Sequence, residues 1–402
     1  MSWRQIKIQE FADVVGGGTP STRVKEYWGG NIPWIGPKDL SKYDFRFIKN
    51  GERNITKKGL SDSSAKLLPI NTVMMTSRAP IGYLALAENE ICTNQGFQNL
   101  ICKEGIASPF FVYYLLANNL DKIKSIATGA TFPEISKTKL KGIALPLPPL
   151  QTQKRIADIL IAYDDLIENN LKRIKLLEQT TQNIYKEWFV NMRFPGHENI
   201  TINQETGLPE GWNYGVVSEF GTVITGKTPS TKKVEYYGNE VPFVKTPDMH
   251  SSPYVIDTFT SLSTLGAESQ KNKFLPKDSV MVSCIGTAGV VALVSRPSQT
   301  NQQINSVTFD GNYKSFYFYC FSKELKPLLE GLGSNGATMV NVNKGKFEGI
   351  KILIPIADVL ISFDNIVKTN FNQILNLLNQ NQKLKEAQDI LLPRLMNQTI
   401  EV

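Results

Sequence analysis

Histidine is almost missing from this chain: His197 and His250 are the only two in 402 residues, and both lie in polar, loop-like text. Centres that bind zinc and similar metals need several His or Cys ligands at close spacing. The four cysteines (Cys92, Cys102, Cys284, Cys320) offer no C-x-x-C pair, so a metal centre of that kind is excluded. They are read as reduced thiols of a cytoplasmic protein. Long apolar runs are missing too. Without a stretch of about 18 apolar residues no transmembrane helix is expected, and "MSWRQIKIQEF" lacks the apolar core of a signal peptide. There is no G-x-x-x-x-G-K-[ST] phosphate loop and no G-x-G-x-x-G after a strand. "LPLPPL" lacks the polar and aromatic flanks that an amino-methyltransferase site uses. Glu134 and Lys137 do not recur as a pair, since Asn341 stands with Lys344 in the matching segment. The sequence therefore points to binding and scaffolding rather than catalysis.

What is present is a duplication. "GTPSTRVKEYWGGNIPWIGPKD" from Gly18 returns as "KTPSTKKVEYYGNEVPFVKTPD" from Lys227, so that Thr19, Pro20, Ser21, Thr22, Tyr27, Pro33 and Asp39 become Thr228, Pro229, Ser230, Thr231, Tyr236, Pro242 and Asp248. "IGYLALAENEICTNQ" from Ile81 matches "AGVVALVSRPSQTNQ" from Ala288, and "TGATFPEISKTKLKGIALPLP" matches "SNGATMVNVNKGKFEGIKILIP". Finally "IADILIAYDDLIENN" from Ile156 returns as "IADVLISFDNIVKTN" from Ile356. Before this last segment the second copy loses the equivalents of Leu150 to Ile156. That is one heptad, so the helix shortens without rotating its apolar seam.

The seam itself is explicit. Ile156, Leu160, Tyr163, Ile167, Asn170, Ile174, Leu177, Thr181, Ile184 and Trp188 alternate spacings of four and three, and Ile356, Leu360, Phe363, Val367, Asn370, Ile374, Leu377, Asn381 and Leu384 repeat the rhythm. Pro148, Pro149 and Pro355 end the structure before each helix. The spacing predicts a coiled coil in which Asn170 and Asn370 set the register. The simplest pairing is of copy one with copy two, parallel or antiparallel. The globular parts are mixed: short apolar runs such as "TVMMTS" and "GVVALV" are read as strands, and "SPFFVYYLLANNLDKI" as a helix capped by Ser108. The domains expected are 1–149 and 196–355, with helical spacers at 150–195 and 356–402.

A formal charge of +7 permits a nucleic-acid partner without selecting one. The combination of "GGTPS…YWGGNIPWI", "TGAT…LKGIALPLP", "PLPPLQTQKRIADIL" and the duplicated layout closely resembles the specificity (S) subunit of type I restriction–modification enzymes, over essentially the whole chain. The resemblance implies an α+β fold of two pseudo-symmetric mixed α/β target-recognition domains, joined by two long helices that form an antiparallel coiled coil. It also implies that each recognition domain reads one half of a split, asymmetric double-stranded DNA target. The chain would carry no cofactor or metal of its own. It would bind two methyltransferase (M) subunits, which hold S-adenosylmethionine, and restriction (R) subunits, which use ATP and Mg. The second copy departs from the pattern, with "PLQTQKRIAD" reduced to "PIAD". A helix from Ile156 to Trp188 would span about 50 Å, or roughly 15 base pairs, and so would act as a ruler between half-sites. The competing reading is a coiled-coil docking adaptor without DNA readout.

If the half-sites differ, residues that read bases should differ between copies, while shared residues hold the scaffold or touch phosphate. Thr19, Ser21 and Thr22, with Thr228, Ser230 and Thr231, are candidate phosphate contacts; loop-turn chemistry is the alternative. Asn94 and Gln95, with Asn301 and Gln302, have the chemistry to bond adenine edges, although their recurrence favours a structural role. In the divergent loops, Lys38, Lys42, Tyr43, Arg46, Lys245, His250 and Tyr254 are candidate groove or backbone contacts. Arg78, set against Cys284 of the other copy, is a further candidate reader.

Overall fold

The computed structural model describes residues 3–41, 43–129, 133–250, 252–333 and 340–402. It divides into two compact units: Met1–Asn169 with Gln382–Val402, and Asn170–Asn381.

In the first unit a five-stranded sheet runs in the order Ala12–Gly16, Phe97–Cys102, Val73–Thr76, Leu84–Ala87, Phe47–Ile48. Val73–Thr76 and Leu84–Ala87 are almost wholly apolar because both faces of the sheet are covered there, whereas Phe97–Cys102 carries Gln98 and Asn99. Val73, Met75, Leu86 and Leu100 pack on one side with Phe111, Val112 and Leu115 of the helix Pro109–Asn118. Met74, Ala85, Ala87 and Phe97 pack on the other with Ile35 and Leu68. The alternation has the period of two that a strand imposes. A smaller sheet, Arg53–Ile55, Trp28–Ile35 and Cys92–Thr93, lies beyond that second face, and Arg4–Lys7 pairs with Ala144–Leu147.

The second unit repeats the plan. Its five-stranded sheet has the order Thr222–Thr225, Ile304–Thr308, Val280–Ser283, Val291–Val294, Tyr254–Val255. Val280, Val282, Leu293 and Val307 face the aromatic helix Ser315–Lys323, while Met281, Ala292, Val294 and Ile304 face the other way.

The long helices run Leu150–Tyr185 and Ala357–Met396. A five-residue π turn, Lys186–Val190, prolongs the first. This turn breaks the seven-residue rhythm and lets Tyr185, Trp188 and Phe189 all turn inward. Within the first unit Gln388 Nε2 donates to Asp164 Oδ1 at 2.8 Å, and Ile156 and Leu160 share a core with Leu395 and Met396. Within the second, Asn170 Nδ2 donates to Asn381 Oδ1 at 2.8 Å, Asn370 Nδ2 donates to Thr181 Oγ1 at 3.2 Å, and Trp188 meets Phe363. Partner numbers fall as residue numbers rise, so the helices are antiparallel. The two asparagines do bond across the seam, but each to the position that the other helix presents opposite it rather than to one another.

The heptad present only in the first copy has a visible task. Gln153 is fully buried; its Nε2 donates to the Ile106 and Pro148 carbonyls, and its Oε1 accepts from Ser108 N at 2.9 Å. Ser108 stands at the helix N-cap position as expected, but its side chain makes no capping bond; its amide is served by Gln153 instead.

Candidate nucleic-acid interface

In each unit the repeated loops share most of their wiring. Only one of the three glycines in "GGGTPS" recurs, Gly17 as Gly226, and the reason is steric. A Cβ at Gly17 would lie 1.9 Å from the Asn94 carbonyl oxygen, and one at Gly226 2.2 Å from that of Asn301. The glycine admits a neighbouring backbone and does not build a phosphate cradle. Asn94 N donates to the Ile35 carbonyl beside the parallel pair Trp28–Ile35 and Cys92–Thr93, and Asn301 N to that of Val244 beside the parallel pair Val241–Val244 and Gln299–Thr300. Their side chains cap the turn: Asn94 Oδ1 accepts from Gly96 N at 2.8 Å, and Asn301 Oδ1 from Gln303 N at 3.2 Å. Thr19 donates its hydroxyl to Gln95 Oε1, and Thr228 donates to Gln302 Oε1 at 2.6 Å. An aromatic ring ties down each Thr-Pro-Ser loop: Trp28 Nε1 donates to the Ser21 carbonyl, and Tyr237 OH to that of Pro229.

A second shared device is the aspartate that ends the repeated motif. Asp39 accepts from Gly36 N at 2.7 Å and Glu52 N at 2.8 Å; Asp248 accepts from Lys245 N at 2.8 Å and Phe259 N at 3.2 Å. Each carboxylate thus clasps two loop segments together. The recurrence of this aspartate was visible in the sequence, but its partners are backbone amides, which no residue type announces.

Around these frameworks the candidate contacts fall into groups. Ser21, Thr22, Ser230, Thr231, Gln95, Gln302 and His250 are exposed, while Thr19, Thr228 and Asn94 are half-buried. Lys38 is exposed and pairs with Glu52 at 3.0 Å. Arg78 is exposed and pairs with Glu134 at 3.0 Å. Lys245 is half-buried, and its Nζ donates to Thr260 Oγ1 at 2.8 Å. The Tyr43 hydroxyl donates to the Phe47 carbonyl, and burial raises its phenol above the ordinary value. Asn301 is 8% exposed and serves its turn. Lys42 lies outside the described residues.

Three expectations are corrected. Arg46 is 6% exposed. Its backbone N and its Nε donate to Glu168 Oε1 at 2.7 and 3.1 Å, its Nη2 bonds Asp165, and Asp164 lies 3.7 Å from Nε. It pins the loop to the central helix and does not face solvent. Tyr254 is 1% exposed, donates to Asp278 Oδ1 at 2.8 Å and packs edge-on against Phe371. Arg78 is not the counterpart of Cys284. Ser77 N donates to the Gly96 carbonyl as Cys284 N donates to that of Gln303, so Cys284 matches Ser77 and Arg78 matches Ile285.

Burial pushes the thiols of Cys92 and Cys284 up to about 11 and that of Cys102 to about 12, where they are poor nucleophiles. Among the described residues no group of three or more His, Cys, Asp or Glu side chains is placed to hold a metal ion, and no helix is long and apolar enough to cross a membrane.

The comparisons with known proteins agree with this picture. The family described as "Type I restriction modification DNA specificity domain" matches twice, over residues 2–179 and 209–380. The type I restriction enzyme MjaIX specificity subunit of Methanocaldococcus jannaschii is 33% identical, over 98% of this chain and 92% of its own length. The HindI specificity subunit of Haemophilus influenzae is 31% identical, over 73% of this chain and 77% of its own. The crystal structure of the S subunit of the type I restriction–modification system from M. genitalium shares the fold, with a TM-score of 0.60 at 16% identity, covering 98% of this chain and 96% of that one. Two matches of one domain, framed by the helices that join them, place this chain in the family of type I restriction–modification specificity subunits, the non-catalytic components of those systems.

Proposed function

We propose that the chain reads a bipartite, asymmetric DNA target, the first half reading one half-site and the second half the other. On this reading it docks methyltransferase subunits, which carry S-adenosylmethionine, and restriction subunits, which use ATP and Mg. The observation that carries the proposal is the contrast between wiring and occupancy. Both halves build one framework from Gly17/Gly226, Asn94/Asn301, Thr19–Gln95/Thr228–Gln302 and Asp39/Asp248. The side chains mounted on it differ: Lys38 and Glu52 stand in the first half where Pro247 and Phe259 stand in the second, and Arg78 where Ile285 stands. A shared framework with exchanged side chains is what two readers of different sequences require, since base edges and not phosphates carry the sequence. The shared exposed hydroxyls and amides of Ser21, Thr22 and Gln95, with Ser230, Thr231 and Gln302, suit the phosphate backbone.

The test is methylation of a random-sequence duplex pool by the full chain together with the methyltransferase subunits of its system, read by sequencing. Two short conserved blocks separated by an unread spacer are expected. Replacing residues 1–149 with the first half of another family member should change one block and leave the other intact. No sequence enrichment, as a docking adaptor would give, or a change in both blocks, would refute the proposal.

A further inference from the structure

One side chain in the second half has no account in the fold. Phe259 is 96% exposed. Single exposed apolar residues are common, but this one does not sit on a loose tip. Its amide is held by Asp248 Oδ1 at 3.2 Å, and the same carboxylate holds Lys245 N. The next residue, Thr260, accepts from Phe243 N through its carbonyl at 3.2 Å and from Lys245 Nζ through its hydroxyl at 2.8 Å. The ring therefore stands on backbone fixed from both sides, with a lysine amine bound to the adjacent residue. The position is also one where the halves disagree in chemistry. On the same framework the first half carries Glu52, whose carboxylate pairs with Lys38, and the residue before the clasping aspartate is Lys38 there and Pro247 here. The first half mounts a charged pair and the second mounts apolar groups.

We propose that Phe259 is a specificity-determining residue of the second half, one that packs against the 5-methyl group of a thymine in the major groove; this rests on the reading that the second half binds a half-site. Among base edges in the major groove the thymine methyl is the apolar feature, and an aromatic ring is one of its natural partners. A carboxylate at the equivalent place in the first half suits a donor edge such as cytosine N4 instead. The exchange of Glu52 for Phe259 on a common perch thus changes which base pair is accepted without disturbing the loop.

The experiment uses the full chain with its methyltransferase subunits, on the target identified by methylation sequencing. Each thymine of the second half-site is replaced in turn by uracil, which lacks only the methyl group. The parent protein should lose about fourfold in affinity at one position, the effect of one buried methyl. Phe259→Ala should bind more weakly, tolerate other base pairs at that position, leave the first half-site unchanged and lose nothing further on the uracil exchange. Its melting temperature should match the parent's, because the ring is exposed. Unchanged binding and selectivity would overturn the proposal, as would equal weakening on all sequences or additive losses. A ring wedged between base steps would lose affinity on Phe259→Ala yet be indifferent to uracil at every position, and this too overturns it. If the parent selects no sequence at all in the second block, the two-half-site reading itself has failed; if the block persists unaltered in Phe259→Ala, only this inference has.

Discussion

Replacing Arg46 by methionine should unfold the first unit's attachment to its helix and leave DNA sequence preference alone. Methionine keeps much of the stem's packing and removes the cation shared by Asp164, Asp165 and Glu168. Asp165 is 63% exposed and loses little. Asp164 and Glu168 are 16% and 13% exposed and would be left as largely desolvated carboxylates facing no guanidinium. Burial already holds the Asp164 carboxyl above its ordinary value, against hydrogen bonds from Tyr114 and Gln388 and the charge of Arg46. Removing one partner of a buried pair typically costs about 3–5 kcal/mol. With about 1.4 kcal/mol per factor of ten, amide protection in the sheet and the helix Pro109–Asn118 should fall by roughly a thousandfold. Hydrogen exchange resolves this by segment, and strands of the second unit such as Val280–Ser283 serve as the internal control. The triple variant Arg46→Met, Asp164→Asn, Glu168→Gln should recover most of the loss, because it leaves no buried charge unpaired. The reasoning is refuted if Arg46→Met leaves protection unchanged and instead weakens DNA binding with a shallower salt dependence. That would be the signature of a phosphate contact.

Two other perturbations probe the helices of the second unit. Asn170→Leu leaves the Asn381 amide facing an apolar side chain and should cost about 1–3 kcal/mol, whereas Asn170→Leu with Asn381→Leu should melt at or above the parent temperature; equal losses in both variants would show that the bond across the seam is not what the asparagines supply. Asp364 is 6% exposed, and its carboxyl is raised above the ordinary value by burial and by Asp278, with Lys368 opposing. A raised native value means the folded state holds this proton longer, so its contribution to stability is full below about 3.8 and is lost as pH rises through the native value. Asp364→Asn should therefore be more stable than the parent at neutral pH, with the advantage shrinking towards acid; a difference in melting temperature that stays constant with pH would contradict this.

The parts of the structure that were legible in the sequence are those whose partners lie nearby or in the other copy. The short apolar runs "TVMMTS" and "GVVALV" marked strands, and the spacings from Ile156 and Ile356 marked the seam. Arg46 was misread because what buries it lies more than a hundred residues away, on the central helix. Its counterpart is Pro253, so the repeat carried no warning that the position belonged to the scaffold. The pairing of Asn170 with Asn381 escaped for a related reason: matching residues of a duplication invite pairing with each other, whereas antiparallel helices set each against a different position.

The duplication nevertheless supplies its own control. Where the copies agree, as at Gly17 and Gly226 or Asp39 and Asp248, the structure shows a steric limit or a bond to backbone, so agreement records the chain's internal constraints. Where they disagree on an identically wired backbone, internal packing has not chosen the residue. Glu52 and Phe259 are such a pair: the fold holds both amides in the same way and buries neither side chain. A side chain whose partner lies outside the molecule leaves no periodicity or spacing in the sequence that carries it. It becomes visible only once the structure has accounted for everything around it.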